Sequence, residues 1–312
     1  MKNKDTSLVS VVMNFYNIDS FLKESLDSVF SQSYENFEVI FIDNNSSTDV
    51  TYILDEYDRR LKYTKLTKNI PLAEARNIAI ERCSGEFIAF LDCDDIWTKD
   101  KLKEQLLFFN HKRIGLVYSN YISFNLHGDE YVAYDEKWDA PTGDVFDIIL
   151  FNNFICFSSI MIRSSIIKKH DIYFDPSLRY VEDTDFFIML SRNCDFNYLP
   201  EIVVKYRMHE QSMTTKNPLS FRDEEKYLLD KYANIFPEFD EQKQNKYKVL
   251  IKKDRAITLW KIGDVNLARK LLREIFWVKK RYILIYIATF IKADYIYRLR
   301  AWIFKRKYRY HA

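Results

Sequence analysis

The chain has 312 residues, 16% of them aromatic, and a net charge of only +2, enough for one large domain or a large and a small one with sizeable cores. Cys83, Cys93, Cys156 and Cys194 lie far apart in no CxxC pattern, so a disulfide framework or structural zinc site has little support and a reducing cytosolic setting fits better. The polar start MKNKDTSLVS, followed by a short apolar run broken at Asn14, does not read as a signal peptide, and no apolar stretch reaches the length of a membrane span.

Leu8 to Phe15 (LVSVVMNF) and Phe37 to Ile42 (FEVIFI) are compact apolar runs, and between them Phe21, Leu22, Leu26, Val29 and Phe30 fall on one helical face. Strand, helix and strand in that order predict a βαβ unit with parallel strands. DNNSSTD, residues 43–49, then makes a turn able to cap a helix carrying Val50, Ile53, Leu54 and Tyr57. A short run, Leu61 to Leu66, leads to a loop with Pro71, a helix through Ala73, Ala75, Ile78, Ala79 and Ile80 closed by Gly85, and a buried strand, EFIAFL, ending at Asp92. Ligands of open parallel sheets bind beyond the carboxyl ends of the strands, which puts Asp43 and Asp92 at functional edges.

FLDCDDIW, residues 90–97, places Asp92, Asp94 and Asp95 within four positions. Carboxylates grouped at the mouth of a hydrophobic strand are costly unless a cation or strong hydrogen bonds compensate, which suggests a hard metal such as Mg2+ or Mn2+. A solvated turn capping the next helix is the other reading. Lys101 to Asn110 then reads as helix and Ile114 to Phe124 as strand, HGDEYVAYDEKWDAPTGD as a loop or irregular hairpin, and Val145 to Met161 as helix or strand. LRYVEDTDFFIML sets Glu182, Asp183 and Asp185 just ahead of a helical apolar run, followed by a strand, EIVVKYRMH.

TTKNPLS, residues 214–220, breaks the pattern, and beyond it helices are predicted over about 221–235, 246–260 and 265–278. From Glu241 onward 20 Lys and Arg stand against 5 Asp and Glu, a net +15 that leaves about −13 in residues 1–240; two surfaces with different partners are implied. The last segment, YILIYIATFIKADYIYRLRAWIFKRKYRYH, has a clean apolar run of ten residues, Tyr282 to Ile291, too short to cross a bilayer. It reads as a cationic amphipathic helix on an anionic membrane surface, or as a tail packed on the catalytic domain with a solvated basic face. No nucleic-acid-binding module accompanies its basic and aromatic groups.

VSVVMNFYN, LDSVFSQSYENFEVIFIDNNSSTD, AEARNIAI, GEFIAFLDCDDIW, VEDTDFFIML and KYRMH occur in order across about 210 residues. Together they resemble the family 2 glycosyltransferases, inverting enzymes with an α/β, Rossmann-like A-type glycosyltransferase (GT-A) fold and a mixed central sheet. The resemblance implies a catalytic domain over residues 1–215, its nucleotide-sugar half about 1–125 and its acceptor half about 126–215. It supplies no role for the helical extension, residues 216–312.

By the same resemblance Asp92, Cys93 and Asp94 form a DxD motif, with Asp94 the main ligand of a divalent ion, Mn2+ or Mg2+, held by the donor diphosphate, and Asp92 its partner. Asp95 supports the ion or caps the helix that starts near Lys99. Asp43 is placed beside the nucleobase, where a carboxylate accepts from the N3–H of uracil or thymine. Relatives often carry two Asp there, whereas this chain has Asp43 and Asn44, which leaves open which of them reaches the base. Asn14 and Tyr16 are implied to line the nucleotide pocket, with Tyr16 stacking on the base or serving as a strand-end aromatic. Arg76, in the ARN element with Asn77, faces the diphosphate or the DxD loop. Asp183 is the implied catalytic base, Glu182 orients it or the acceptor, and Asp185 caps or salt-bridges. His209 approaches the metal or diphosphate, and Arg207 screens phosphate charge.

The expected reaction is transfer of a sugar from a UDP- or dTDP-activated donor to a hydroxyl of a glycan or lipid-linked saccharide in bacterial surface polysaccharide synthesis, at the inner face of the cell membrane. A polyol-phosphate or protein acceptor is the alternative. A non-catalytic glycan-binding or scaffolding role is argued against by the presence of Asp92, Asp94 and Asp183.

Overall fold

The computed structural model describes residues 6–17, 20–291 and 293. The chain divides into two compact units, Met1–Ser212 and Met213–Ala312. The first begins with strand β1 (Val9–Phe15), helix α1 (Leu22–Phe30), β2 (Phe37–Asp43), α2 (Thr51–Leu54), β3 (Leu61–Lys65), α3 (Leu72–Arg82) and β4 (Phe87–Phe90). Every side chain of β2 and β4 is buried, as expected of parallel strands covered on both faces. Leu22, Leu26 and Val29 of α1 pack fully against that sheet. The pattern from Val50 to Tyr57 condenses into the single turn of α2 rather than a longer helix.

Next come β5 (Ile96–Trp97), α4 (Lys101–Leu107), β6 (Ile114–Asn125) and β7 (Glu130–Val132), α5 (Phe146–Ile149), a one-turn 3-10 helix at Phe157–Ser159, β8 (Met161–Arg163), α6 (Ser164–His170), α7 (Glu182–Ser191) and β9 (Asp195–Met208). The nine strands form one mixed sheet in the order β3-β2-β1-β4-β8-β6-β9-β5, with β7 on β6. β1 runs parallel to β2 and β4, and β6 parallel to β9; β8 is antiparallel to both of its neighbours, β4 and β6. Two reversals restore direction, so β1, β2, β4, β6 and β9 all point their carboxyl ends to one edge. Phe15, Asp43, Asp92 and His209 therefore converge there, far apart as they are in sequence.

The segment ambiguous by pattern, Val145 to Met161, breaks into α5, the 3-10 turn and the approach to β8. HGDEYVAYDEKWDAPTGD opens as a short hairpin of β6 with β7, in which Asn125 accepts from the backbone N–H of His127 and Asp129, and Gly128 takes a left-handed φ of 81°. All four cysteines are free thiols.

The second unit comprises α8 (Met213–Lys216), α9 (Ser220–Ile235), α10 (Glu241–Lys261), α11 (Val265–Ile275) and α12 (Lys280–Ala288). Asp240 and Asp264 cap α10 and α11 by accepting from the N–H of Lys243 and Leu267. Gly263, at φ 96°, makes the turn between them. Ala256, Leu272, Ile275 and Tyr282 form one small core, and Leu259, Trp260, Ala268 and Ala293 another. Among the described residues no helix is long and apolar enough to cross a membrane. Most of the basic tail, from Asp294 onward, lies outside the described residues, so the amphipathic helix expected there is not placed.

Candidate active site

At the carboxyl edge, β4 runs out into the loop Asp92–Asp95, and backbone and side-chain contacts from three directions fix that loop. Cys93 Sγ donates to the carbonyl of Asn14 at 3.3 Å. The N–H of Asp92 donates to Ser158 Oγ at 3.1 Å, and Ser158 Oγ donates in turn to Asp95 Oδ2 at 2.5 Å. Asp95 Oδ1 accepts from the backbone N–H of Arg207 at 2.9 Å. Asp95 is thus a buried hub, 1% exposed, tying its own loop to the Phe157–Ser159 turn and to β9; it does not cap the helix that follows. Burial and the neighbouring Asp94 and Asp92 charges push its carboxyl well above the usual range.

Arg207, expected on the phosphate side, has its guanidinium committed elsewhere. Nε donates to the Asp94 carbonyl at 2.7 Å and Nη2 pairs with Glu24, while the rings of Phe21 and Phe124 lie 4.4 and 4.6 Å from the guanidinium carbon. Two residues on, His209 Nε2 lies 2.9 Å from Asp94 Oδ2. Its Nδ1 is buried without a partner.

Arg76 joins the two acidic clusters. Nη2 lies 3.2 Å from Asp92 Oδ1 and Nη1 lies 2.9 Å from Glu182 Oε1, with the guanidinium stacked 3.7 Å from the Phe157 ring. Arg76 and Glu182 are both buried, so their pair is a low-dielectric contact, whereas the Asp92 side chain opens in part to solvent. Burial lifts Asp92 to about 6 against the opposing pull of Arg76, with Asp94 and Asp183 adding to the rise. Burial likewise lifts Glu182 to about 7, and Glu182 Oε2 is buried without a hydrogen-bond partner.

Asp183 stands in the first turn of α7, where the helix dipole favours anions. Its Oδ1 accepts from the N–H and hydroxyl of Thr184 at 2.6 and 3.2 Å, and Asn153 Nδ2 donates to that hydroxyl at 2.9 Å. Burial raises its pKa although Arg76 and the Thr184 bonds oppose the rise. Asp185, in the same turn, is fully buried. The Asn77 side-chain amide clips α3 to Phe174, donating to its carbonyl at 2.8 Å and accepting from its N–H at 2.9 Å.

On the β2 side, Asp43 Oδ1 accepts from the Ser46 N–H at 2.7 Å, and Oδ2 accepts from the Tyr63 hydroxyl at 3.1 Å, with Lys65 Nζ 3.5 Å away. Asn44 is occupied: its amide donates to the Ile70 carbonyl and accepts from the Ile70 N–H. Of the pair, Asn44 therefore holds the loop before α3. Tyr16 is 50% exposed, and Asn14 Nδ2 is buried without a partner.

Among the described residues no three His, Cys, Asp or Glu side chains converge as a complete metal cage. The donor set nonetheless suits a hard divalent cation. Asp92 and Asp94 crowd one loop, His209 Nε2 lies 2.9 Å from Asp94 Oδ2, and the other ring nitrogen of His209 is buried without a partner. Ser158, Glu24 and the Asn153–Thr184 pair escaped the sequence reading, since only the tertiary structure brings them to the loop and to Asp183.

A mixed sheet with an acidic loop at its carboxyl edge, bridged by a buried arginine to a second acidic pair, defines a nucleotide-sugar transferase of the GT-A type. Residues 10–171 match the glycosyl transferase family 2 model, and the chain belongs to that family: it is an inverting glycosyltransferase that draws on a nucleotide-sugar donor. The matched residues include Asn14, Asp43, Arg76 and Asp92 to Asp95; Glu182, Asp183, Arg207 and His209 lie beyond them. An Escherichia coli relative, the UDP-Glc:alpha-D-GlcNAc-diphosphoundecaprenol beta-1,3-glucosyltransferase WfgD, is 30% identical over 68% of this chain and 81% of its own length. The structure of S. aureus TarS 1–349 in complex with UDP-GlcNAc superposes with a TM-score of 0.65 at 19% identity, covering 88% of this chain and 82% of that one. The mannosyltransferase PcManGT of Pyrobaculum calidifontis, in complex with GDP-Man and Mn2+, does so with a TM-score of 0.59 at 13% identity, covering 90% and 83%. Both share the fold.

Proposed function

We propose that the enzyme transfers a sugar from a UDP- or dTDP-activated donor to a hydroxyl of a glycan or lipid-linked saccharide in bacterial surface polysaccharide synthesis, with Asp183 as base. The observation that carries this reading is the single guanidinium of Arg76 between Asp92 and Glu182, which fixes the DxD loop against the acidic start of α7. The relative's UDP-glucose donor and diphosphoundecaprenol-linked acceptor support the substrate class.

In this reading residues 1–215 are catalytic, the donor binding within about 1–125 and the acceptor within about 126–215. Asp43 and Tyr16 meet the nucleobase and Asn14 lines its pocket. Asp94, Asp92 and His209 would hold Mn2+ or Mg2+, which when bound neutralises charge on the departing diphosphate. Asp183 takes the acceptor hydroxyl proton as that oxygen bonds to the anomeric carbon; the bond to the diphosphate breaks on the opposite face, its electrons leaving with the phosphate oxygen, and one displacement inverts the centre. Glu182, locked by Arg76, orients the acceptor side. Arg207 acts from behind, holding the Asp94 carbonyl. The enzyme works at the inner face of the cell membrane, and residues 216–312 contribute the membrane contact.

Calorimetry with a panel of nucleotide diphosphate sugars tests the assignment. One UDP- or dTDP-sugar should bind only with Mn2+ or Mg2+, lose that binding in Asp94→Ala, and still bind Asp183→Ala. Binding indifferent to Asp94 would return the acidic loop to a structural role.

A further inference from the structure

Helix α12 carries two apolar faces where a surface helix normally carries one. Tyr282, Ile285 and Tyr286 turn inward to the core formed with Ala256, Leu272 and Ile275. On the other side the helix and its flanks leave large apolar groups in solvent: Trp277 is 81% exposed, Leu284 67%, Phe290 65%, Val278 and Ile287 56%, and Ile291 52%. Leu284 and Ile287 lie four and seven residues after Lys280 and so share its face. Six such side chains within a short stretch exceed the scattered exposure ordinary for a soluble surface.

The charges within the stretch itself have one sign. Residues 275–291 contain Lys279, Lys280 and Arg281 and no acidic residue, and all three cations are exposed. Arg269 lies 3.8 Å over the Phe290 ring and adds a fourth. A second copy placed symmetrically on the patch would set these cations against themselves. Anionic lipid headgroups complement the cations while the acyl boundary takes the Trp, Leu, Ile and Phe side chains.

We propose that the outer face of α12, with Trp277 and Val278 before it and Phe290 and Ile291 after it, is the surface by which the enzyme docks on an anionic lipid bilayer. This rests on the membrane-side reading of the function and gives that contact an address among the described residues of the second unit.

The test is co-sedimentation of the full chain, without substrate, with phosphatidylcholine vesicles and with vesicles that also contain phosphatidylglycerol. Binding should be at least about tenfold tighter to the anionic vesicles, weaken with salt, and shift tryptophan emission to the blue, the shift diminishing in Trp277→Phe. The double variant Leu284→Glu/Ile287→Glu should lose about tenfold or more of that binding while keeping its melting temperature and its turnover of a water-soluble acceptor. Equal binding to both vesicles, no binding, or full binding by the double variant would overturn the proposal. So would a dimer in ultracentrifugation that the double variant dissolves while neither protein binds vesicles. Because vesicle binding is read without donor or acceptor, its failure leaves the transferase reading standing, and Asp183→Asn, dead in turnover, should still bind.

Discussion

As the proposed general base Asp183 must be unprotonated to act, and it holds its proton more tightly than an ordinary aspartate because burial outweighs Arg76 and Thr184. The acid limb of the rate profile should therefore fall at a pH above the range of about 4 typical of free Asp. Asp183→Asn should lower kcat by about 10²–10⁴-fold with donor affinity unchanged; a loss in donor binding instead would move Asp183 to the donor side. Glu182 is a stability matter as well. Its folded pKa of about 7 lies above its unfolded value, so the folded state binds the extra proton, and its contribution is fully present below the unfolded pKa and lost as pH rises through about 7. Melting temperature relative to Glu182→Gln should accordingly fall between about pH 5 and pH 8, and a pH-independent difference would refute the shift. Asp95→Asn keeps the volume but cannot accept from both Ser158 and the Arg207 N–H as a carboxylate does. It should cost about 1–3 kcal/mol in denaturant unfolding and weaken cation-dependent donor binding with it. Sequence marked Asp95 as one of a cluster but could not separate it from Asp92 and Asp94, because its partners stand 63 and 112 residues away.

Among elements, β4 shows how tightly the parallel strands are assembled at the edge opposite the site. A Cβ on Gly85 would stand 2.6 Å from the Ser10 nitrogen and 2.8 Å from the Leu8 carbonyl oxygen, both backbone atoms of the β1 side. Gly85→Ala should thus force β4 away from β1 and cost about 1–3 kcal/mol, read as a lower denaturant midpoint. The pattern showed Gly85 closing a helix; its closer constraint is this approach between strands. β1, β2 and β4 were legible as compact apolar runs and α1 and α3 by their helical spacing of apolar residues. The stretch from Leu126 to Arg163 was not, since its elements are three or four residues long and stabilised by contacts such as Trp138 stacked 3.6 Å on Tyr134, which no local period encodes. Ser158 lay in that stretch, and with it two of the hydrogen bonds that hold the DxD loop.

At the scale of the whole molecule, the exposed residues Glu210, Gln211 and Lys216 mark the passage between two units that each hold their own core. Limited trypsinolysis should cut first after Lys216 and leave a fragment that still binds the donor; early cleavage at Arg76 or Arg82 inside α3 would contradict such an organisation. The opposite charges of the two stretches were readable from composition, whereas the bridge from Asp92 to Glu182 was readable only in part: the ARN element turned Arg76 toward the DxD loop, but nothing local announced Glu182, 106 residues away, as its second partner. That bridge has a thermodynamic signature. Once a donor and its cation satisfy Asp92, the carboxylate no longer competes for Arg76 or repels Glu182, and both acids become stronger. Donor binding near neutrality should then discharge protons into the medium, visible as a binding heat that changes with the ionisation enthalpy of the buffer, and acidification should in turn loosen the donor.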